Sequence, residues 1–275
     1  MTDAREFGAK YGPWAFVAGG SKGMGGAWSD ALAQRGLNVV LTARREGLVK
    51  AKAEELRAKY GVEARPVVMD LSSDDMLDEV SKATDDVEIG FLVYNAGYAD
   101  LCPFAKQPLE KELFRLSLNC RGPLVLSHYF GKKMLARKRG GIAIMSSLGG
   151  LMGNPYNVGY AASKAYDLVL AEGLWYEYGK HNVDVIACIA GLTKTHETIS
   201  DDAKTSGGRA MMPEDVVEEA LAKLGKEPAM VPGKGNRRFH FMATRLLSRK
   251  RLISMMAENY ERNWPELLDG KNPSG

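Results

Sequence analysis

Tyr160 and Lys164 are the residues of this 275-residue chain whose types and spacing point most directly to chemistry. They stand four positions apart, so within a helix both side chains would lie on one face. A phenol has an ordinary pKa near 10 and is a poor base at neutral pH. An ammonium group about 4 Å away, at an effective dielectric near 20, contributes about 4 kcal/mol in favour of the phenolate. We therefore predict that Tyr160 exchanges a proton with a substrate and that Lys164 assists the exchange.

A glycine-rich segment, residues 19–26, follows the apolar run Trp14–Ala18 and precedes a helical pattern. Glycines let the backbone turn tightly and approach a ligand, and the free N–H groups at a helix start attract a pyrophosphate. Such turns also occur for packing reasons alone. This segment, however, lies at the first strand-to-helix turn of the predicted sheet, which is where dinucleotides bind.

The elements that would position these residues alternate between short apolar runs and longer helical patterns. Predicted strands are Trp14–Ala18, Asn38–Thr42, Arg65–Met69, Ile89–Tyr94, Gly141–Ser146, Val183–Ile189 and Ala229–Val231. Predicted helices are Gly25–Arg35, Gly47–Tyr60, Ser73–Ala83, Glu110–Arg137, Tyr156–Gly179 and Pro213–Leu224. Continuous apolar strands alternating with helices predict an α/β fold, a single doubly wound parallel sheet of the Rossmann type with helices on both faces. No linker or repeat divides residues 1–275, so we expect one dinucleotide-binding domain.

Composition excludes several classes of protein. Lys and Arg number 37 against 34 Asp and Glu, and a net charge of +3 is too small to indicate nucleic acid as a partner. No apolar run approaches the length of about 20 residues that spans a bilayer. Three scattered cysteines, Cys102, Cys120 and Cys188, indicate reduced thiols. With no leader segment visible, we expect a cytoplasmic protein. The histidines show no metal-ligand spacing, so no metal is predicted; they are His128, His181, His196 and His240.

Two segments depart from the alternation. Residues 192–212 are polar and too long for an ordinary connection, which predicts a flexible loop beside the substrate. Residues 237–263 are basic and interleaved with apolar side chains, which predicts one amphipathic helix. We favour packing of this helix on its own domain over binding to a membrane or a partner.

Several motifs together resemble the short-chain dehydrogenase/reductase family, and in particular its hydroxysteroid dehydrogenase branch. The first turn has the family's spacing of Gly19, Gly23 and Gly25. The other matches, which extend to residue 195, are Asp70, Asn95-Ala96-Gly97, Asn119, Ser147, Tyr160, Lys164, Gly191 and Thr195. Ala18 and Ala190 depart from the family's usual Thr and Pro, and the second change puts the geometry of the nicotinamide-side loop in question.

The resemblance implies hydride transfer between a nicotinamide cofactor and a carbonyl carbon, with Tyr160 as the acid or base. Ser147, thirteen residues before Tyr160, would hydrogen-bond the substrate oxygen. Its neighbour Ser146 should point to the opposite side of the strand. Asn119 would help a water connect Lys164 to solvent. The implied cofactor-binding residues are Gly19, Ser21, Lys22, Gly23, Met24, Gly25, Arg44, Arg45, Asp70, Leu71, Asn95, Ala96, Gly97, Tyr160, Lys164, Thr193 and Thr195.

The residues at the end of the second strand indicate whether a protein of this kind binds NAD(H) or NADP(H). NAD enzymes place a carboxylate there to accept from the ribose 2′-hydroxyl. This chain has Arg44 and Arg45 instead, with Lys22 close by in the glycine turn. Cations pair with a 2′-phosphate, so NADP(H) is the expected cofactor.

The residues available for a substrate pocket are mainly apolar, which favours a small hydrophobic ketone or alcohol such as a hydroxysteroid. They are Tyr98, Leu148, Leu151, Met152, Tyr156, Met211 and Met212. Two alternatives stay open: a long-chain 3-oxoacyl reductase, and a non-catalytic NADP-binding regulator. Family resemblance also implies a homodimer or homotetramer that pairs through the helices carrying Asn119 and Tyr160.

Overall fold

A computed structural model describes residues 4–195, 204–205 and 208–271. The strands are β1 (Trp14–Ala18), β2 (Asn38–Ala43), β3 (Ala64–Val68), β4 (Ile89–Tyr94), β5 (Gly140–Ser147), β6 (Val183–Ala190), β7 (Lys204–Thr205), β8 (Gly208–Arg209) and β9 (Ala229–Met230). The helices are α1 (Ala4–Tyr11), α2 (Gly23–Gln34), α3 (Glu46–Tyr60), α4 (Met76–Thr84), α5 (Leu109–Leu116), α6 (Gly122–Arg137), α7 (Val158–Gly179), α8 (Pro213–Lys223), α9 (Lys234–Arg245) and α10 (Arg249–Asn263).

The main sheet has seven parallel strands in the order β3-β2-β1-β4-β5-β6-β9. From β1 the chain adds β2 and then β3 on one side of the sheet. It then returns to add β4, β5, β6 and β9 on the other side of β1, so the strand order reverses between β1 and β4. Ligands of doubly wound sheets bind at the carboxyl ends of the strands at this reversal. The predicted α/β class and parallel sheet are confirmed.

Both faces of the sheet are buried, which explains why its strands are apolar without alternation. In β1, Phe16 packs into the cluster on one face with Leu92 and Phe130, while Val17 packs into the cluster on the other face with Trp28. Burying a large apolar side chain contributes about 1.5–3 kcal/mol. These two layers hold the strand ends, and therefore the site, in fixed register.

The N-terminal helix α1 is an element that the sequence pattern did not indicate. Phe7 and Tyr11 are buried against Phe91 of β4. The Tyr11 hydroxyl donates a 2.5 Å hydrogen bond to Asp184 at the start of β6, and burial together with this carboxylate raises the pKa of Tyr11. The helix thus closes the sheet at the end opposite the carboxyl ends of the strands.

Two predicted helices are divided in the structure. The pattern over Glu110–Arg137 forms α5 and α6 joined by a π-helical turn, Ser117–Arg121. The prediction of a single basic helix over residues 237–263 is wrong. This segment forms two helices, α9 and α10, because Ser248 caps α10 by accepting a hydrogen bond from the Arg251 amide. Both helices pack on the body of the protein, with Phe239 and Leu252 in a third apolar cluster.

The segment predicted as a flexible loop, residues 192–212, lies partly outside the described residues, at 196–203 and 206–207. Of the remainder, Thr193 pairs with Met211, and β7 pairs antiparallel with β8. Among the described residues, no helix is both long enough and apolar enough to cross a membrane.

Candidate active site

The glycine-rich turn connects β1 to α2 at the reversal of the strand order. Gly19 and Gly23 have positive φ angles of 77° and 54°, which strain any residue with a Cβ atom. A Cβ on Gly25 would lie 1.9 Å from the Gly19 carbonyl oxygen. Gly25 is therefore required for packing of the turn; it does not line the cavity in front of the turn, and its contact with the cofactor stays a prediction.

The turn opens onto a cavity of about 730 Å³ that runs along the carboxyl ends of β1–β4. Most of the predicted cofactor-binding residues line it, namely Gly19, Ser21, Lys22, Gly23, Met24, Arg44, Arg45, Asp70, Leu71, Asn95, Ala96, Gly97 and Thr195. Thr42, Ala43, Met69 and Leu118 also line it and were not singled out from the sequence. Thr193 does not line this cavity, because its hydroxyl donates to the Gly191 carbonyl at 3.1 Å and its backbone pairs with Met211.

The charge of this cavity is positive at the end of β2. Lys22, Arg44 and Arg45 are exposed there, and the Arg44 guanidinium lies 5.6 Å from the ring centroid of Phe114. Among the described residues lining the cavity, Asp70 carries the one carboxylate, and its Oδ1 accepts hydrogen bonds from the amide and hydroxyl of Ser72. The glycine cradle and the N-terminus of α2 together fit the pyrophosphate of a nicotinamide dinucleotide.

A second cavity, of about 700 Å³, lies at the carboxyl ends of β5 and β6. Ser147 and Tyr160 both line it. Ser147 ends β5 and turns its hydroxyl toward this space, where it accepts from the Gly149 amide at 3.2 Å. Ser146 is buried, and its hydroxyl donates to the Lys164 carbonyl of α7 at 2.7 Å. The alternation of side chains along β5 thus places the two serines on opposite sides, as the sequence predicts.

Lys164 lies one helical turn beyond Tyr160 in α7, with its ammonium 5.8 Å from the centroid of the Tyr160 ring. Lys164 is 5% exposed. Its Nζ donates to the Met145 carbonyl at 2.7 Å and to Asp167 Oδ2 at 2.9 Å. Burial lowers the pKa of Lys164, but the charges of Asp167 and Tyr160 outweigh that effect and raise it overall. A positive charge is therefore held near the Tyr160 ring, and the hydrogen bonds of this ammonium run to Met145 and Asp167.

Asn119 is fully buried in the π-helical turn between α5 and α6. Its Oδ1 accepts from the Tyr98 amide at 2.9 Å, and its Nδ2 donates to the Tyr98 carbonyl and to Ser163 Oγ. A Cβ added to Gly97 would be 3.7 Å from both Asn119 Oδ1 and Lys164 Nζ. Asn119 and Lys164 consequently face the same small space beside Gly97, in front of the ends of β4 and β5.

The walls of the second cavity differ in part from the sequence expectation. Of the proposed apolar lining, Leu148 and Met152 line the cavity, and Tyr98, Leu151, Tyr156, Met211 and Met212 do not. Helix α10 and the residues that follow it form a wall that sequence reasoning missed, consisting of Met256, Asn259, Tyr260, Asn263 and Trp264. The available signal was the i, i+4, i+8 spacing of Met256, Tyr260 and Trp264, which places them on one helical face.

Comparisons with known proteins agree with this geometry. A protein-family model described as short chain dehydrogenase matches residues 13–205. A 7beta-hydroxysteroid dehydrogenase from Mediterraneibacter gnavus is 34% identical over 233 residues, which cover 83% of this chain and 89% of that protein.

Solved structures are similar over most of the chain. A structure described in work on 7beta-hydroxysteroid dehydrogenase stereoselectivity has a TM-score of 0.85 and 30% identity, and the match covers 91% of this chain and 99% of that one. A 3-oxoacyl (acyl-carrier-protein) reductase from Agrobacterium tumefaciens C58 with NADP bound has a TM-score of 0.72 and 26% identity, over 80% of this chain and 90% of that one. The chain belongs to the short-chain dehydrogenase family and is an oxidoreductase of ketones and alcohols that uses a nicotinamide dinucleotide.

Proposed function

We propose that this protein is an NADP(H)-dependent oxidoreductase that interconverts a hydrophobic ketone and its secondary alcohol, with a hydroxysteroid as the substrate class. The observation that carries the proposal is that Tyr160 and Ser147 line one mainly apolar cavity while the Lys164 ammonium is buried behind the tyrosine ring. The similarity to 7beta-hydroxysteroid dehydrogenases supports the substrate class.

Four residues are assigned catalytic or positioning roles. Tyr160 gives its proton to the carbonyl oxygen during reduction and takes it back during oxidation. Ser147 holds that oxygen by a hydrogen bond. Lys164 stabilises the phenolate by its charge. Asn119 fixes the backbone at Tyr98 and lies beside the space that connects Lys164 to solvent. When bound, the nicotinamide ring supplies or accepts the hydride.

The assignment of NADP(H) over NAD(H) is supported by charge. Lys22, Arg44 and Arg45 surround the end of β2, where a carboxylate would be needed to accept from a ribose 2′-hydroxyl. The reductase from Agrobacterium tumefaciens with NADP bound is consistent with this choice. Arg44 would bind the 2′-phosphate and stack on the adenine.

A second copy of this chain is the proposed protein partner. Helices α5 and α7 are neighbours, and both carry exposed apolar stripes at helical spacing, Leu109, Leu113 and Leu116 on α5 and Tyr166, Val169 and Tyr176 on α7. Contiguous apolar faces of this kind are typical of subunit interfaces. We propose a homodimer, or a homotetramer built from it, that pairs through this face. The cytoplasmic location stays a prediction.

The experiment that tests the function is NADPH oxidation, followed at 340 nm, with a panel of steroid, aromatic and 3-oxoacyl thioester ketones. We expect turnover to be fastest with steroid ketones and to be much slower with NADH. Preference for the thioester would favour the long-chain 3-oxoacyl reductase. Binding of NADPH without turnover of any ketone would instead favour the non-catalytic regulator and overturn the proposal.

A further inference from the structure

Helices α9 and α10 carry a large excess of positive charge. Residues 228–257 contain seven Lys and Arg side chains and no Asp or Glu, whereas the net charge of the whole chain is +3, which leaves −4 for the rest of the chain. The seven cations are Lys234, Arg237, Arg238, Arg245, Arg249, Lys250 and Arg251. The net positive charge of this protein therefore comes from one pair of consecutive helices.

Helix α9 packs through one face and leaves the opposite face exposed. The packed face contains Asn236, Phe239 and Ala243, all of them buried. The exposed face is a stripe, at intervals of four, three and four residues, that is formed by Lys234, Arg238, Phe241 and Arg245. Phe241 is 57% exposed. An aromatic ring thus lies between cations on the side of the helix that does not pack on the protein.

The turn between the two helices extends this stripe. Leu246 follows Arg245 directly and is 67% exposed, and the first turn of α10 adds the exposed Arg249, Lys250 and Arg251. Because only three residues separate Arg245 from Arg249, the two groups of cations are adjacent. We call the stripe of α9, Leu246 and these three residues of α10 the basic corner.

The cations of the basic corner do not stabilise the fold. Arg237, which lies outside the stripe, pairs with Glu219 at 2.7 Å. In the described part of the chain, no carboxylate pairs with any of the six cations of the basic corner. Three of these cations also stand in the first turn of α10, where the helix dipole favours acidic side chains and disfavours basic ones. Charges placed in this way are typical of a surface that binds a negatively charged partner.

The exposed apolar side chains narrow the class of partner. The phosphates of a nucleic acid and those of lipid headgroups would both pair with the cations. Phe241 and Leu246 gain free energy only where they leave water, and the headgroup region of a bilayer admits apolar side chains beside basic ones. The basic corner therefore favours an anionic membrane surface over a nucleic acid.

We infer that the basic corner docks this protein on membrane surfaces that contain anionic phospholipids, with its cations on the headgroup phosphates and with Phe241 and Leu246 inserted between the headgroups. Such binding is peripheral and reversible, and it needs no segment that spans the membrane. Because Phe239 of α9 and Met256 of α10 line the substrate cavity, docking would bring that cavity close to the phase in which a hydrophobic ketone dissolves.

The test measures co-sedimentation of the full-length protein with vesicles of phosphatidylcholine alone and with vesicles of equal parts phosphatidylcholine and phosphatidylglycerol. We expect binding to the mixed vesicles and little binding to the neutral ones, and high salt should weaken the binding because it screens the charges. Each cation near an anionic surface contributes about fivefold in affinity. The triple variant Arg238→Gln/Arg245→Gln/Arg249→Gln should therefore bind the mixed vesicles about a hundredfold more weakly than wild type.

Two further variants separate the surface from overall charge and from folding. The matched control Lys82→Gln/Lys132→Gln/Lys180→Gln removes the same charge at exposed positions elsewhere and should bind within about threefold of wild type. Phe241→Ser/Leu246→Ser keeps the charge and should bind about tenfold more weakly, because its side chains no longer gain by leaving water. All three variants change only exposed side chains, so their Tm values should match that of wild type.

Equal binding to the neutral and the mixed vesicles, or binding to neither, would overturn the inference. Wild-type affinity of the triple variant at the basic corner would do the same. Wild-type affinity of the serine variant would show that no apolar side chain is inserted and would also overturn it. Tighter binding to duplex DNA than to the mixed vesicles, at equal phosphate and salt concentrations, would assign the surface to nucleic acid instead. These measurements need neither cofactor nor ketone, so their failure leaves the proposed function standing.

Discussion

Lys164 and Asp167 form an ion pair inside the protein, with 2.9 Å between Nζ and Oδ2 and side chains 6% and 1% exposed. Burial raises the pKa of Asp167 to about 6, although the Lys164 charge opposes that rise. The charge of Asp167 acts in turn on Cys120 and Tyr94, and burial raises the pKa of both the thiol and the phenol, so these two groups stay neutral below pH 7. Asp167 is therefore the group here that titrates between pH 4 and 6.

The first prediction concerns stability against pH. An unfolded aspartate has a pKa near 4, so between pH 4 and 6 the folded state binds the Asp167 proton more tightly than the unfolded state. The contribution of Asp167 to the free energy of unfolding thus falls as pH rises through this window, by up to about 3 kcal/mol. In urea unfolding, Asp167→Asn should remove this dependence of the free energy of unfolding on pH. The control Asp78→Asn, at an exposed position, should keep the pH dependence of the wild type. If the free energy of unfolding changed with pH equally in the wild type and in Asp167→Asn, the account would be contradicted.

The two adjacent serines of β5 provide a matched pair. Ser147→Ala should lower kcat by about 10²–10³, the usual effect of losing one donor to a developing oxyanion; its stability should fall by no more than about 1 kcal/mol, the usual cost of losing a cap such as the bond from the Gly149 amide. Ser146→Ala removes the buried hydrogen bond to the Lys164 carbonyl and should cost about 1 kcal/mol of stability while kcat stays near wild type. Steady-state kinetics and thermal unfolding of both variants check the assignment, and the reverse pattern would refute it.

Cofactor preference follows from the cations at the end of β2. Arg44→Asp removes a charge-assisted contact to a 2′-phosphate, worth about 1.5–3 kcal/mol, and places a repelling carboxylate there. We expect kcat/KM for NADPH to fall by roughly ten- to a hundredfold while kcat/KM for NADH falls little or rises. Equal losses for the two cofactors would show that Arg44 does not bind the 2′-phosphate.

The proposed subunit interface is tested at Val169, an exposed residue of α7. A buried, unpaired carboxylate in an apolar interface is strongly unfavourable, so Val169→Glu should convert a dimer to monomers, or a tetramer to dimers, in light scattering. Glutamate at the similarly exposed Leu268, near the C-terminus, serves as the control and should leave the mass unchanged. A monomeric wild type would contradict the interface outright.

The sheet and most of the site could be predicted because their signals are local. The apolar strand β1, the glycine turn and the four-residue spacing of Tyr160 and Lys164 all lie within short stretches of sequence. Side-chain alternation in β5 was enough to separate Ser146 from Ser147. Such features depend on backbone geometry, which neighbouring residues largely determine.

The features that were missed depend on tertiary contacts. Helix α1 is only eight residues long, contains Gly8, and is held by the packing of Phe7 and Tyr11 on Phe91. The pairing of Asp167 with Lys164 becomes evident only once burial excludes water from both. Likewise, α10 is distant in sequence from Tyr160, and only the packing of Leu252 and Phe239 brings it over the substrate cavity.

Removal of the Tyr160 hydroxyl tests the central claim most directly. The Tyr160→Phe variant keeps the ring beside Lys164 and lacks the exchangeable proton. NADPH binding, followed by the fluorescence of the reduced cofactor, should stay within about threefold of wild type, since losing one weak contact costs under 1 kcal/mol. Oxidation of NADPH by a ketone at 340 nm should fall by about 10²–10⁴, the range that a positioned acid contributes. Turnover within a fewfold of wild type would show that Tyr160 is not the proton donor.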